Sequence, residues 1–118
     1  MPEHPPTEFK VRQSGGVTIL DVHGRLTIGE PSERFHSTLQ SAIKSGARKV
    51  VVDLNGAPQI DSSGLSTLVR VSIQLAREGG TLRLICGPGR VHDALTVTRL
   101  IEAIPTFASE SAALANFS

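Results

Sequence analysis

Residues 49–65, KVVVDLNGAPQIDSSGL, contain the pattern that decides the fold. The run of β-branched and apolar residues over 49–54 is typical of a strand that is covered on both faces in a parallel sheet. Turn-forming residues follow at 55–58, and Asp61 and Ser62 then precede a segment with helical spacing of its apolar residues. A strand, a loop and a helix in this order predict one unit of an α/β domain.

Strands and helices alternate on both sides of this unit. Two stretches around the turn residues Gly15 and Gly16 predict an antiparallel pair at the N-terminus. The predicted strands are residues 9–12, 17–23, 49–54, 81–86 and 104–107, and the predicted helices cover residues 35–43, 65–76, 91–95 and 109–114. Thr27 and Glu30 have the spacing of a capping box before the first helix. The predicted fold is an α/β domain with a central, mainly parallel sheet of about four to five strands, about four helices and an antiparallel N-terminal strand.

Composition excludes several classes of function. The 118 residues suffice for one domain, and two independent catalytic domains are excluded. A net charge of +1 with 3% aromatic residues argues against dedicated nucleic-acid binding. A single cysteine, Cys86, excludes an internal disulfide and fits a reducing compartment. The start of the chain lacks the pattern of a signal peptide, and no apolar run approaches the roughly 20 residues that cross a bilayer. We therefore expect a cytoplasmic protein without membrane insertion.

The chain divides into an arm and a domain. Residues 1–8 contain three prolines and no apolar periodicity, which predicts a flexible N-terminal arm. Residues 9–118 form the predicted domain, with no internal repeat.

The motifs of the common enzyme classes are missing. The chain has no Gly-x-x-x-x-Gly-Lys phosphate loop and no Gly-x-Ser-x-Gly nucleophile elbow. Cys86 ends an apolar strand, which indicates a buried structural thiol. The histidines lack a partner at helical ligand spacing; they are His4, His23, His36 and His92. The sequence therefore assigns no cofactor and no metal site.

Asp61-Ser62-Ser63-Gly64 stands where the helix after the central strand should begin. Its simplest interpretation is capping, in which Asp and Ser accept hydrogen bonds from first-turn amides, worth about 1 kcal/mol. A serine at this place also presents its hydroxyl beside unpaired amides and the positive end of the helix dipole. A phosphate there would be tolerated by the fold and would add about −1.5 to −2 charges to the surface.

The sequence resembles the STAS domain family, and within it the bacterial anti-sigma-factor antagonists. The resemblance runs from Phe9 to Phe117. It is carried by the segments Gly24-Arg25-Leu26, Val51-Val52-Asp53-Leu54, Pro58-Gln59-Ile60-Asp61-Ser62-Ser63-Gly64-Leu65, Leu84-Ile85-Cys86-Gly87-Pro88 and Ile104-Pro105-Thr106-Phe107. The chain departs from the family at Arg99, where many relatives have a glycine.

This resemblance implies a partner switch. It assigns Ser62 as the residue that an anti-sigma factor with serine kinase activity phosphorylates. The unphosphorylated antagonist binds that anti-sigma factor and releases a sigma factor, and a serine phosphatase resets the phosphorylated form.

The resemblance also implies roles for the residues around Ser62. Asp61 caps or orients the loop, Ser63 makes hydrogen bonds at the helix terminus, and Gly64 leaves the first turn uncrowded. The loop residues Arg25, Leu26 and Thr27 are implied partner contacts. The protein is then a binding module and kinase substrate without catalysis.

Two other hypotheses belong to different classes. One is a STAS accessory subunit of a membrane transport or other signalling assembly, which would co-purify with a permease or ATPase. The other is an enzyme that uses Ser62 as a nucleophile, for which the sequence offers no nearby base.

Overall fold

The computed structural model describes residues 5–117. Within this range the chain forms five strands and five helices. The strands are β1 Glu8–Ser14, β2 Val17–His23, β3 Lys49–Gly56, β4 Thr81–Ile85 and β5 Thr106–Phe107. The helices are α1 Glu30–Lys44, α2 Ser62–Arg77, α3 Arg90–Val97, α4 Leu100–Ala103 and α5 Glu110–Leu114.

The strands form one mixed sheet in the order β1-β2-β3-β4-β5. β1 pairs with β2 antiparallel, whereas β2, β3, β4 and β5 are joined by parallel pairing. Each parallel step is connected by a helix, as a parallel sheet requires. The predicted α/β fold with an antiparallel N-terminal strand is confirmed.

The core lies on both faces of the sheet. The larger cluster joins sheet residues such as Leu20 and Val52 to Phe35 of α1 and Leu68 of α2. A smaller cluster on the other face joins Ile19, Val51 and Ile85 of the sheet to Ala113 of α5. β3 is thus buried on both sides, which is why its sequence is a continuous apolar run rather than an alternating one.

The structure describes only residues 5–8 of the predicted N-terminal arm. β1 begins at Glu8, and residues 1–4, with His4, lie outside the described residues. Thr7 is 3% exposed, and its hydroxyl donates to the carbonyl oxygen of Arg25 over 2.7 Å. The division into an arm over residues 1–8 and a domain over residues 9–118 stays a prediction.

Arg99, the departure from the family pattern, has a left-handed backbone with φ 64° and ψ 15°. A side chain costs about 1–2 kcal/mol in that conformation, whereas glycine adopts it without the steric penalty. Arg99→Gly should therefore raise the free energy of unfolding by about 0.5–1 kcal/mol, after the entropic cost of glycine is subtracted. Urea unfolding measures the change.

Arg99→Ala is the matched control for this prediction. It removes the exposed ion pair between Arg99 Nε and Glu102 Oε2 (3.6 Å) but keeps the Cβ atom in the left-handed conformation. It should give no gain in stability. Equal stability of the Gly and Ala variants would contradict backbone strain at this position.

Candidate functional site

Two loops meet where the parallel strands β2 and β3 end. The amide of Leu26, after β2, donates to the carbonyl oxygen of Gln59 over 2.9 Å. The amide of Asp61, after β3, donates back to the carbonyl oxygen of Leu26 over 3.1 Å. The structure therefore brings residues 25–27 next to the Asp-Ser-Ser-Gly segment, although Leu26 and Asp61 are 35 positions apart in the chain. They meet because the carboxyl ends of parallel strands share one edge of the sheet.

The carboxylate of Asp61 joins these loops to the start of α2. Its Oδ1 accepts from the amide of Ser63 over 2.9 Å and from the hydroxyl of Ser63. Its Oδ2 accepts from the amide of Ile28 over 2.8 Å. Asp61 is thus the N-cap of α2 and at the same time holds the segment that leads into α1.

The environment of Asp61 favours its charged form. Desolvation by partial burial raises the pKa of Asp61. The hydrogen bonds from the hydroxyl of Ser63 and from the amides of Ile28, Ser63 and Gly64 lower the pKa, and together they outweigh desolvation. The net effect is a pKa below the ordinary value of 3.8. Hydrogen bonds to a carboxylate stabilise the anion, so Asp61 carries its charge beside Ser62 at neutral pH.

Replacing Asp61 tests this arrangement. Asp61→Ala should lower the free energy of unfolding by about 1–2 kcal/mol, since it removes a cap and leaves the amide of Ile28 without its acceptor. Asp61→Asn should lose less, because its carbonyl oxygen can still cap the helix. Chemical unfolding at pH 7 compares the three proteins.

The pH dependence has a defined sign. Because the folded pKa of Asp61 lies below the unfolded value, its charge stabilises the fold above pH 3.8 and this contribution disappears as the pH falls through the folded pKa. The difference between wild type and Asp61→Asn should therefore shrink below about pH 4. A constant difference from pH 7 to pH 3 would show that the charge of Asp61 contributes nothing.

Gly64 lies where α2 packs most closely against the loops. A Cβ atom on Gly64 would lie 2.7 Å from Cγ1 of Ile60 and 3.0 Å from the carbonyl oxygen of Leu26. Both distances are shorter than ordinary van der Waals contact. A side chain at this position would therefore force α2 and the loops apart. The role of Gly64 in leaving the first turn uncrowded for the switch stays a prediction.

Ser62 and Ser63 differ in accessibility. Ser62 is the exposed first residue of α2, whereas Ser63 is half-buried and its hydroxyl donates to Asp61. Ser62 also lines an open groove of about 570 Å³ that runs along α2 to Thr98 and Leu100. Of the two serines, Ser62 has the hydroxyl that another protein can reach.

The loop after β2 presents one residue that the sequence did not single out. Ile28 is 80% exposed, and its amide is fixed by Asp61. An exposed isoleucine on a fixed backbone offers apolar area that a partner protein can cover. The signal was an isoleucine between Thr27 and Gly29 that belongs to no apolar pattern of a strand or helix.

The predicted contacts in this loop are corrected at Leu26. Its side chain is fully buried in the larger core cluster, so it cannot contact a partner. Arg25 and Thr27 are half-buried. The capping box of Thr27 and Glu30 is also wrong, because the N-cap of α1 is Gly29, with φ 103°, and has no side-chain cap. Ile28 and Gly29 form a turn, and α1 begins after it at Glu30.

Cys86, the single cysteine of the chain, directly follows β4. Cys86 is 5% exposed, as predicted for a buried thiol. Desolvation raises its pKa, and the negative charge of Asp53 raises it to a smaller extent.

Residues 5–117 contain no group of three or more His, Cys, Asp or Glu side chains that could hold a metal ion. In the same part of the chain, no helix has the length and apolar character that a membrane span needs.

The family comparison matches nearly the whole chain. The model of the STAS domain matches residues 8–113. Sequence comparison with curated proteins finds no match.

Solved structures of similar fold come from several bacteria. A candidate anti-sigma factor antagonist from Thermotoga maritima is 23% identical, with a TM-score of 0.86 over 92% of this chain and 93% of that one. The Bacillus cell fate determinant SpoIIAA in its phosphorylated form is 16% identical, with a TM-score of 0.70 over 91% and 96%. SpoIIAA in its unphosphorylated form, described as an anti-sigma factor antagonist, is 18% identical, with a TM-score of 0.69 over 91% of this chain and 94% of that one. A sulfate transporter family protein from Wolinella succinogenes is 25% identical, with a TM-score of 0.72 over 86% and 84%.

Proposed function

This chain belongs to the STAS domain family, and we propose that within it the protein is an anti-sigma-factor antagonist switched by phosphorylation of Ser62. The unphosphorylated protein binds an anti-sigma factor that has serine kinase activity, and the bound anti-sigma factor releases its sigma factor. Phosphorylated Ser62 ends the interaction, and a serine phosphatase restores it. The protein acts in the cytoplasm as a non-catalytic binding module, with no cofactor.

One observation carries this proposal: the exposed hydroxyl of Ser62 stands at the start of α2, next to Asp61, and the carboxylate of Asp61 holds the amide of Ile28, whose side chain is exposed. A kinase can reach that hydroxyl without unfolding the domain. The same surface offers the apolar contact that a binding partner needs. The likeness to SpoIIAA, whose structure is known in a phosphorylated and an unphosphorylated form, supports the assignment.

The chemistry of the site explains how a phosphate changes binding without changing the fold. The amide of Ser63 is already bound by Asp61, so the fold does not require a further anion there. A phosphate on Ser62 adds about −1.5 to −2 charges next to the carboxylate of Asp61. A partner that covers this surface must then bury or approach two adjacent anions, which costs several kcal/mol unless cations compensate them.

Affinity capture from the native host tests the proposal. Ser62→Ala and Ser62→Asp proteins are immobilised at equal density, and the retained proteins are identified by mass spectrometry. We expect Ser62→Ala to retain an anti-sigma factor with a kinase domain and Ser62→Asp to lose it. Absence of any such kinase from the Ser62→Ala sample would reject the proposal.

The second candidate is an accessory subunit of a membrane transport assembly. The likeness to the Wolinella succinogenes sulfate transporter family protein favours it. In the same capture experiment this function predicts a permease or transport ATPase, retained equally by both variants.

A further inference from the structure

The outward face of α2 is open to solvent along its whole length. Its inward residues, such as Leu68 and Leu75, are fully buried, and Gln74 faces α1, where its side chain exchanges two hydrogen bonds with Gln40 (2.7 and 3.0 Å). The opposite side is exposed and is called the α2 face. It consists of Ser62, Ser66, Val69, Arg70, Ile73 and Arg77.

The α2 face carries positive charge and no negative charge. The 16 residues of α2 include Arg70 and Arg77 but no Asp or Glu. Neither arginine forms an ion pair with any residue of the described part of the chain. The first acidic residue beyond the helix, Glu78, is bound by Arg48 over 2.9 Å. The two cations are therefore free to bind an outside anion.

Apolar side chains alternate with these arginines. Val69 is 37% exposed and Ile73 is 49% exposed, and they lie one helical turn apart on the same side. Val69 and Arg70 line the groove that begins at Ser62. Arg70, Ile73 and Arg77 line the next depression along the helix, together with Gln74 and with Glu78, whose carboxylate is paired with Arg48. A protein surface of mixed apolar and acidic character is complementary to this pattern.

We infer that the α2 face is the docking surface for an acidic, partly apolar face of the anti-sigma factor, so that Arg70 and Arg77 attract the same partner that a phosphate on Ser62 repels. This inference rests on the proposed function. It explains the sign of the switch. Ser62 lies at one end of the face, about 12 Å along the helix from Arg70. The phosphate is then placed against the edge of an acidic surface, where it opposes the attraction that the arginines provide.

Association kinetics with the captured and purified anti-sigma factor test this inference. Arg70→Glu combined with Arg77→Glu should slow association by about 10- to 100-fold at 20 mM salt, with a weaker effect at 500 mM salt, since added salt screens the attraction. Lys10→Glu is the control; it changes the net charge by two units, as each arginine substitution does alone, and half as much as the double variant. Lys10 is exposed on β1, outside the α2 face, and its substitution should change the rate less than about twofold.

The outcomes separate this inference from the proposed function. If capture yields the kinase but the double variant associates like Lys10→Glu, the proposed function holds and the acidic docking is wrong. If wild type but not the double variant sediments with phosphatidylglycerol vesicles, the face binds anionic membrane and the inference is overturned. If the double variant instead abolishes self-association of wild type in analytical ultracentrifugation, the occupant is a second copy of this chain and the inference is equally overturned.

Discussion

Ser62→Asp should weaken binding of the anti-sigma factor by at least about 100-fold, the largest functional effect that we expect from one substitution. The added carboxylate stands beside that of Asp61 on the surface that the partner covers. The fold should be unaffected, because an acidic residue in the first turn of a helix is favourable. Isothermal titration calorimetry with the captured anti-sigma factor measures the binding, and thermal unfolding measures the stability.

Ser62→Ala provides the matched control. It removes the hydroxyl without adding charge, so binding should stay within about threefold of wild type. It should also resist phosphorylation by the kinase. Equal binding by Ser62→Asp and Ser62→Ala would contradict an electrostatic switch at this residue.

Gly64→Ala should lower the free energy of unfolding by about 1–3 kcal/mol, although alanine is the better helix former. Its Cβ atom would lie 3.0 Å from the carbonyl oxygen of Leu26, a backbone atom of the loop that carries Ile28. The loop and α2 must then move apart, which displaces Ile28 relative to Ser62. Urea unfolding measures the stability loss, and titration measures an accompanying loss of partner affinity.

Gly87→Ala is the comparison for this prediction. A Cβ atom on Gly87 would meet only the end of the Asn55 side chain, at 3.4 Å, and the residue needs no positive φ. Its substitution should cost less than about 0.5 kcal/mol. Similar losses from both substitutions would contradict the special close packing at Gly64.

The fold was predictable because its signals are local. The continuous apolar run of β3 indicated burial on both faces, and Gly15 and Gly16 indicated the antiparallel start. The helix at Ser62 was predictable because Asp61 has the right chemistry for an N-cap. Each of these features depends on residues that are neighbours in the chain, so a pattern in the sequence contains them.

The rest of the site depends on contacts between distant segments. The bond from the amide of Ile28 to Asp61 spans 33 positions, and no local pattern indicates it. The predicted capping box of Thr27 and Glu30 fails because the N-cap of α1 is Gly29. The bond to Asp61 holds the backbone of Ile28, whose side chain is exposed, whereas Leu26, two residues earlier, is buried in the core. Alternation between buried and exposed residues in a loop follows from tertiary packing, which sequence periodicity does not report.

The central claim is that Ser62 is the residue phosphorylated in the cell. Phosphopeptide mass spectrometry on protein isolated from the native host tests it most directly. Tryptic cleavage after Lys49 and Arg70 gives the peptide of residues 50–70, in which fragmentation separates Ser62 from Ser63, Ser66 and Thr67. We predict a phosphate on Ser62 whose occupancy changes with growth condition. A phosphate confined to another of these residues, or none under any stress or stationary condition, would contradict the partner switch.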